Sequence, residues 1–347
     1  MKILHSVAID ITYKCNYCCK HCYNSSGNVE KINKEMTDEE ILKIIDDISN
    51  YLPESVCICG GETLLRKDLV YKIGELVKKK FPENTALNIV TNGYYVTDEV
   101  AKNLKKSGYY LVQVSLDGAN EESHNWIRNN DAAFERAINA IKILKANNLK
   151  VSVACAPSKK NYNQIEELIN LCKRLGVKLV RFQPLMIMGR ANNLIDYMLD
   201  EIEYAKLGVL VSKYVDKDND FTVEWGDPLQ HLEYIKVSGS KMMDVTINAY
   251  GELMVSPYLP IIIGDLKKHS FVEYMDNDLN NGYSIPAVKK AAGLIDDWES
   301  MDLNKKYSIL PRIGIDRYIN CDLLDIEHND KEIINQLLEI TNKENTY

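Results

Sequence analysis

Residues 15–23 read CNYCCKHCY, four cysteines in a short stretch with Cys18 and Cys19 adjacent. Thiolates crowded in this way bind metal or do redox chemistry. Paired as Cys15 with Cys18 and Cys19 with Cys22 they suggest zinc, but zinc pairs normally sit on two knuckles about 12–20 residues apart. Abutting pairs are poorly placed to close a tetrahedron. Read instead as Cys15-x-x-x-Cys19-x-x-Cys22, three thiolates can hold three irons of a 4Fe-4S cube and leave the fourth iron without a protein ligand. An open iron is a place for a ligand. Asn16, Lys20 and His21 make the loop polar, which argues against a chance crowding of small buried residues.

Strand-like and helix-like stretches alternate around this loop. HSVAIDIT, SVCIC, ALNIVT, YLVQVSL, KVSVAC and KLVRFQP are six short apolar runs rich in β-branched residues. Between them lie helical stretches such as TDEEILKIIDDISNYL, where Thr37 and Glu40 form a capping box and Ile41, Ile44, Ile45, Ile48 and Leu52 share one face. Six consecutive βα units predict a single curved parallel sheet, either open and doubly wound or a partial barrel. In both, ligands gather at the C-terminal ends of the strands, where the cysteine loop emerges from the first. Beyond residue 191 a helical stretch to about 216 gives way to short β-like pieces (FTVEW, DVTINAY, GELMVSP, IIIGDL), an irregular tract and a terminal amphipathic helix, KEIINQLLEI.

The 347 residues suffice for a large α/β unit plus a smaller one. A net charge of −8 argues against a general nucleic-acid or membrane-surface binder. No segment approaches the roughly 20 apolar residues of a membrane span, and MKILHSVAID lacks the features of a signal peptide. A cytoplasmic location is expected, and in a reducing compartment the cysteine cluster reads as metal or redox before disulfide.

DITYKCNYCCKHCYN resembles the cluster loop of the radical S-adenosylmethionine (SAM) enzymes, with Cys15, Cys19 and Cys22 on the superfamily's CxxxCxxC. CGGETLL resembles the family's GGE element, with Thr63 where proline is usual. TNGYYV, SLDGANEESHNWIRNNDAAFERA and RFQPLMIMGRA follow in the family's order, so the likeness covers roughly residues 5–192. It implies a partial (βα)6 TIM-like barrel holding one 4Fe-4S cluster and SAM, whose amino and carboxylate groups chelate the open iron.

The same resemblance suggests which residues meet SAM. Gly60 and Gly61 would let backbone approach the methionine moiety, and Glu62 would accept from its ammonium. Arg128 matches the arginine that commonly pairs with the methionine carboxylate. Ser115 and Asp117 stand on alternate positions and are expected at the ribose hydroxyls. His21 holds a position whose backbone faces adenine, Gln183 and Leu185 lie in the stretch that packs the ring, and Asn92 belongs to the TNGYYV element.

INAYGELMVSPYLPIIIGDLKKHSFVEYM resembles the C-terminal extension of the SPASM or shortened twitch subgroup, whose cysteines hold auxiliary clusters. Here Ser256 stands where relatives tend to have cysteine, and beyond Cys172 the only cysteine is Cys321. One cluster in total is therefore expected, with residues 1–192 as the radical SAM core and 193–347 as an α+β SPASM/twitch-like extension lacking metal. Cys321 reads either as a packed thiol or as a catalytic hydrogen-atom donor, as in radical SAM epimerases. Glu224, Trp225 and Asp227 are the expected substrate contacts.

The function expected is reductive cleavage of SAM to methionine and a 5′-deoxyadenosyl radical that abstracts a hydrogen atom from substrate, with electrons from a flavodoxin or ferredoxin. A ribosomally made peptide is the first substrate class, and a small metabolite or a cofactor or haem precursor the second. The rival is a non-catalytic iron-sulfur carrier or scaffold, which would release no 5′-deoxyadenosine from SAM and dithionite.

Overall fold

Alternation along each strand decides which way its side chains face. Val7 and Ile9, Val56 and Ile58, Leu87 and Ile89, Val112 and Val114, Val151 and Val153, and Val180 and Phe182 are all essentially buried. These apolar positions pack against the helices, each fully buried aliphatic side chain contributing about 1.5–3 kcal/mol. Most of the intervening positions are small or polar, including Ala8, Asp10, Cys57, Cys59, Asn88, Gln113 and Arg181, with Val90, Leu111 and Leu179 as apolar exceptions. They face the opposite side of the sheet. A TIM barrel closed around its own core fills that side with bulky branched residues, so here the interior is lined rather than packed.

The computed structural model describes residues 4–27, 35–186, 188–214, 221–259, 261–293 and 319–325. Its parallel run consists of β1 (Ser6–Asp10), β2 (Ser55–Cys59), β3 (Ala86–Thr91), β4 (Leu111–Ser115), β5 (Lys150–Cys155), β6 (Leu179–Phe182) and β7 (Thr222–Trp225), each paired in parallel with the next. The helices between them are α1 (Asp38–Ile48), α2 (Lys67–Lys80), α3 (Asp98–Lys106), α4 (Glu121–Arg128) with α5 (Ala133–Ala146), α6 (Ile165–Arg174) and α7 (Glu201–Ser212). This is the α/β partial barrel that the resemblance implies, one of the two architectures that six βα units allow, continued by a seventh strand. Among the described residues no helix is long and apolar enough to cross a membrane.

The capping box is present: Thr37 Oγ1 accepts from the Glu40 amide at 3.2 Å, and the Glu40 carboxylate accepts from the Thr37 amide at 2.7 Å. Ile41, Ile44, Ile45 and Ile48 bury the expected face, but Leu52 lies past the helix with φ of 49° and is exposed. A left-handed residue turns the chain toward β2 and takes Leu52 off that face.

After α8 (Pro228–Lys236) comes β8 (Asp244–Ile247), which pairs in parallel with β1. Next, β9 (Glu252–Met254) and β10 (Ile261–Asp265) pair antiparallel, α9 (Phe271–Asp276) and α10 (Pro286–Gly293) follow, and β11 (Ile319–Asn320) edges β10. All of these strands belong to one sheet, ordered β11-β10-β9-β8-β1-β2-β3-β4-β5-β6-β7. The sheet thus runs through the expected boundary at 192/193, gaining β7 at one edge and β8 to β11 at the other. KEIINQLLEI lies outside the described residues.

Candidate active site

The cysteine loop is tied to the strand ends by backbone. At the end of β2 the Gly61 amide donates to Thr12 O at 2.7 Å and the Glu62 amide to Lys14 O at 2.9 Å. A Cβ on Gly60 (φ +145°) would meet Thr12 O at 2.5 Å, and one on Gly61 would meet Lys14 O at 2.3 Å. The glycine pair was expected to make room for the methionine moiety. The close approach seen here is to the cysteine loop itself, because the turn lies under it.

Three of the four thiols are gathered. Cys15 and Cys22 pack against a small cluster of Tyr17, Cys19 and Ala133, while Cys18 takes no part in it. Each of the three has a polar partner: the Tyr17 amide lies 3.4 Å and Asn92 Nδ2 3.9 Å from Cys15 Sγ, Arg128 Nη1 4.0 Å from Cys19 Sγ, and the Cys22 thiol donates to Asn24 Oδ1 at 3.1 Å. Burial pushes the Cys15 thiol up to about 12 and that of Cys19 up to about 11. Thiolates are therefore disfavoured there unless a cation accompanies them, as coordinated iron does. Among the described residues no three His, Cys, Asp or Glu form a site for a single metal ion. A cube offers separate corner irons to its ligands, so the gathered but non-convergent thiols fit a cluster. His21 Nδ1 is buried beside them without a hydrogen-bond partner.

Glu62 is fully buried. Its Oε1 accepts from Thr91 Oγ1 at 2.7 Å and the Leu64 amide at 3.1 Å, and its Oε2 from the Asn92 amide at 2.8 Å. Burial raises its pKa while these donors oppose the rise. Asn92 in turn donates from Nδ2 to Asn16 Oδ1 at 2.9 Å, joining the end of β3 to the cysteine loop. The carboxylate expected at the SAM ammonium is thus held by three internal donors.

Asp117, just past β4, is also fully buried. Arg128 Nε donates to its Oδ2 at 2.6 Å and the Ala156 amide to its Oδ1 at 2.8 Å, while His21 Nε2 lies 3.6 Å from Oδ2. Burial would raise its pKa, but Arg128 overrides this and holds it at about 2. The carboxylate expected at the ribose is engaged with Arg128 and so fixes the guanidinium beside Cys19. Burial lowers His21 to about 4 and His124 to about 3, and neutral His124 Nδ1 accepts from the Asp117 amide at 2.9 Å. Asn161, which sequence reasoning passed over, donates to Asp117 O at 2.6 Å and closes the network. So does Arg190, donating from Nε to Cys19 O at 2.8 Å. The only sequence signal for Arg190 was its place in RFQPLMIMGRA.

The remaining candidates divide. Ser115 ends β4, nearly buried. Gln183 follows β6 and donates to Tyr258 Oη at 2.5 Å, linking the barrel to the C-terminal region. Leu185 packs with Ala191, Leu194 and Met198 beside Trp126. Glu224 is exposed on the lumen side of β7, next to Arg181 across the β6–β7 ladder. Trp225 does not join it, since alternation turns it to the helix side against Tyr204, ring centres 5.3 Å apart. Asp227 caps α8, accepting from the Leu229 amide at 2.9 Å and Tyr204 Oη at 2.7 Å. Both therefore have structural duties. Ser256 Oγ lies 3.0 Å from His231 Nε2. Cys321 is fully buried in the main core after β11, four strands along the sheet from β1.

Comparison with known proteins agrees with this geometry. The model of the radical SAM superfamily matches residues 9–172. An AdoMet-dependent heme synthase of Methanosarcina barkeri is 24% identical over 297 residues, 78% of this chain and 82% of the relative. Mycofactocin maturase MftC of Mycolicibacterium smegmatis is 32% identical over 178 residues, 50% of this chain, and the match spans 44% of MftC. Native anSMEcpe with bound AdoMet superposes with a TM-score of 0.62 at 17% identity, covering 98% of this chain and 99% of that one, a likeness of fold. The matched span carries the gathered thiols, the GGE turn and the Asp117–Arg128 pair, and the chain belongs to the radical SAM superfamily, enzymes whose cofactors are a 4Fe-4S cluster and S-adenosylmethionine.

Proposed function

We propose that this radical SAM enzyme modifies a peptide, holding its cluster on Cys15, Cys19 and Cys22 and its substrate in the lumen of the partial barrel. When bound, the cluster supplies the electron that cleaves SAM to methionine and a 5′-deoxyadenosyl radical. The protein's part is placement. Arg128, fixed by Asp117, holds its guanidinium beside Cys19, where it can meet the methionine carboxylate. Glu62, held by Thr91 and Asn92, presents a buried negative charge for the ammonium. Ser115 faces the ribose, and His21 and Leu185 the adenine. An electron donor of flavodoxin or ferredoxin type completes the requirement. The C-terminal region is read as a SPASM/twitch-like extension without its own cluster, because Ser256 bonds His231 and Cys321 lies in the core.

The observation that carries the peptide reading is the charge of the lumen wall. Among the described residues Arg181 is its one strand-borne arginine and stands beside Glu224, while Lys150 turns onto Tyr110. A neutral, hydrogen-bonding wall suits a peptide backbone, whereas a polycarboxylate tetrapyrrole calls for several cations. MftC is named a maturase, and a further relative, SkfB of Bacillus subtilis, a sporulation killing factor maturation protein, is 25% identical over 246 residues, 67% of this chain and 58% of that one. A haem-precursor substrate is the second reading, favoured by the long match to the heme synthase. The test incubates reconstituted enzyme anaerobically with SAM, dithionite and a digest of fully deuterated protein, and then separately with iron coproporphyrin III. Deuterium passing from the peptides into 5′-deoxyadenosine supports the proposal. Stimulation by the porphyrin alone overturns it in favour of the second reading.

A further inference from the structure

Cys57 and Cys59 occupy alternate positions of β2 and so face the same side, the lumen, with their sulfurs 3.4 Å apart in a thiol hydrogen bond. Neither belongs to the cluster loop. Asp10 lies beside Cys59 across the β1–β2 ladder, fully buried, and Arg181 faces both thiols from β6. Cys59 is followed directly by the Gly60-Gly61-Glu62 turn, so it is the thiol nearer the cluster. Either sulfur can be the donor in this contact, and the place of Cys59 beside the turn assigns the hydrogen-atom transfer to it. Alternate residues of a strand have Cα atoms about 6.6 Å apart, at the upper end of the roughly 4.4–6.8 Å that a disulfide spans. A bond formed here would be strained and easily reduced again, which is the behaviour of catalytic disulfides and not of structural ones.

We propose that Cys57 and Cys59 are a redox-active dithiol of the reaction lumen, in which Cys59 gives a hydrogen atom to a carbon-centred radical and closes onto Cys57 as a disulfide. The inference rests on the reading of the lumen as the site of radical chemistry. In the donating step the Cys59 S–H bond breaks and a C–H bond forms, leaving a thiyl radical. The Cys57 sulfur then joins it. Any proton on Cys57 passes to the Asp10 carboxylate, and the one surplus electron passes to the iron-sulfur cluster, which had given one to SAM. A small dithiol or a thioredoxin-type protein must afterwards supply two electrons and two protons to reopen the pair.

Two measurements test this. In the first, protein without cluster is equilibrated across ratios of reduced to oxidised glutathione, the free thiols are blocked with N-ethylmaleimide, and the tryptic peptide 44–66, whose only cysteines are these two, is weighed. A reversible loss of two hydrogens within the glutathione range is expected, and a pair that stays reduced at every ratio overturns the proposal. In the second, reconstituted enzyme cleaves SAM with dithionite in D2O without substrate, and the deuterium in 5′-deoxyadenosine is counted. Cys59→Ala is expected to lower that label by more than half. Cys57→Ala is expected to keep the label and to lose the disulfide. A label that Cys59→Ala leaves above half overturns the proposal. Absence of 5′-deoxyadenosine from the wild type would instead overturn the assigned radical chemistry, so the two failures are distinct.

Discussion

Arg128 donates from Nε to Asp117 Oδ2 at 2.6 Å while its Nη1 lies 4.0 Å from the Cys19 sulfur, so one guanidinium ties the end of β4 to the cysteine loop. Removing one partner of a buried ion pair leaves the other uncompensated, at a cost of about 3–5 kcal/mol. Asp117→Ala is expected to lose stability of that order in urea unfolding and to weaken SAM binding. Unchanged values for both would mean that Arg128 holds its place without the carboxylate.

Two buried histidines set an acid limit. Burial lowers His124 to about 3 and His21 to about 4, whereas unfolded histidine titrates near 6.5. Between those values the unfolded chain binds the extra proton. The stability from each neutral imidazole is therefore present above about pH 6.5 and is lost as pH falls, by up to about 1.4 kcal/mol per pH unit for each group. Asp117, held at about 2, contributes no slope in this window. Asp10, which burial raises to about 7, takes up its proton in the folded state in the same window and opposes the histidines. The expected outcome is therefore a difference between proteins: without cluster, the stability of His124→Gln relative to the wild type is expected to rise as pH falls from 6.5 to 5. A difference that stays constant with pH would contradict it.

Gly61→Ala places a methyl group 2.3 Å from Lys14 O, where only backbone can yield. Such overpacking typically costs about 1–3 kcal/mol. The loss should appear both in the urea midpoint and as reduced iron uptake, because the atom displaced belongs to the cysteine loop. A stability loss with full iron uptake would separate the turn from the loop.

Glu224 and Asp227 lie three residues apart and are expected to respond differently. Asp227→Ala removes the cap of α8 and should cost about 0.5–2 kcal/mol in stability. Glu224→Gln, at an exposed position in the lumen, should leave the urea midpoint within about 0.5 kcal/mol and raise the KM for substrate. The reverse pattern would place substrate at the cap.

The parallel core was legible because its information is local: β-branched runs, helical periodicity and the Thr37 capping box all lie within a few residues of one another. The cysteine spacing and the GGE, TNG and arginine elements were legible for the same reason. Leu52 left its expected face because one left-handed residue ends that helix, and Trp225 left the lumen because the exact register of a four-residue strand decides its direction. Pairing of β8 with β1 joins residues some 240 positions apart, as in Ser6 with Asp244, and nothing local announces it. Asp117 was recognised as a site residue, but its service to Arg128 across α4 depends on three-dimensional packing. Cys57 and Cys59 read in the sequence only as part of the apolar run SVCIC, and their contact emerges from both facing the lumen.

The central claim is that one cluster sits on Cys15, Cys19 and Cys22 and that Cys18 is outside it. The direct measurement is iron content after anaerobic reconstitution of the wild type and the four single Cys→Ala variants, with 5′-deoxyadenosine yield from SAM and dithionite read on the same samples. The account predicts about four irons per chain, the content of one 4Fe-4S cluster, in the wild type and in Cys18→Ala, and loss of both iron and SAM cleavage in Cys15→Ala, Cys19→Ala and Cys22→Ala. About eight irons in the wild type, or full SAM cleavage by Cys19→Ala, would contradict it.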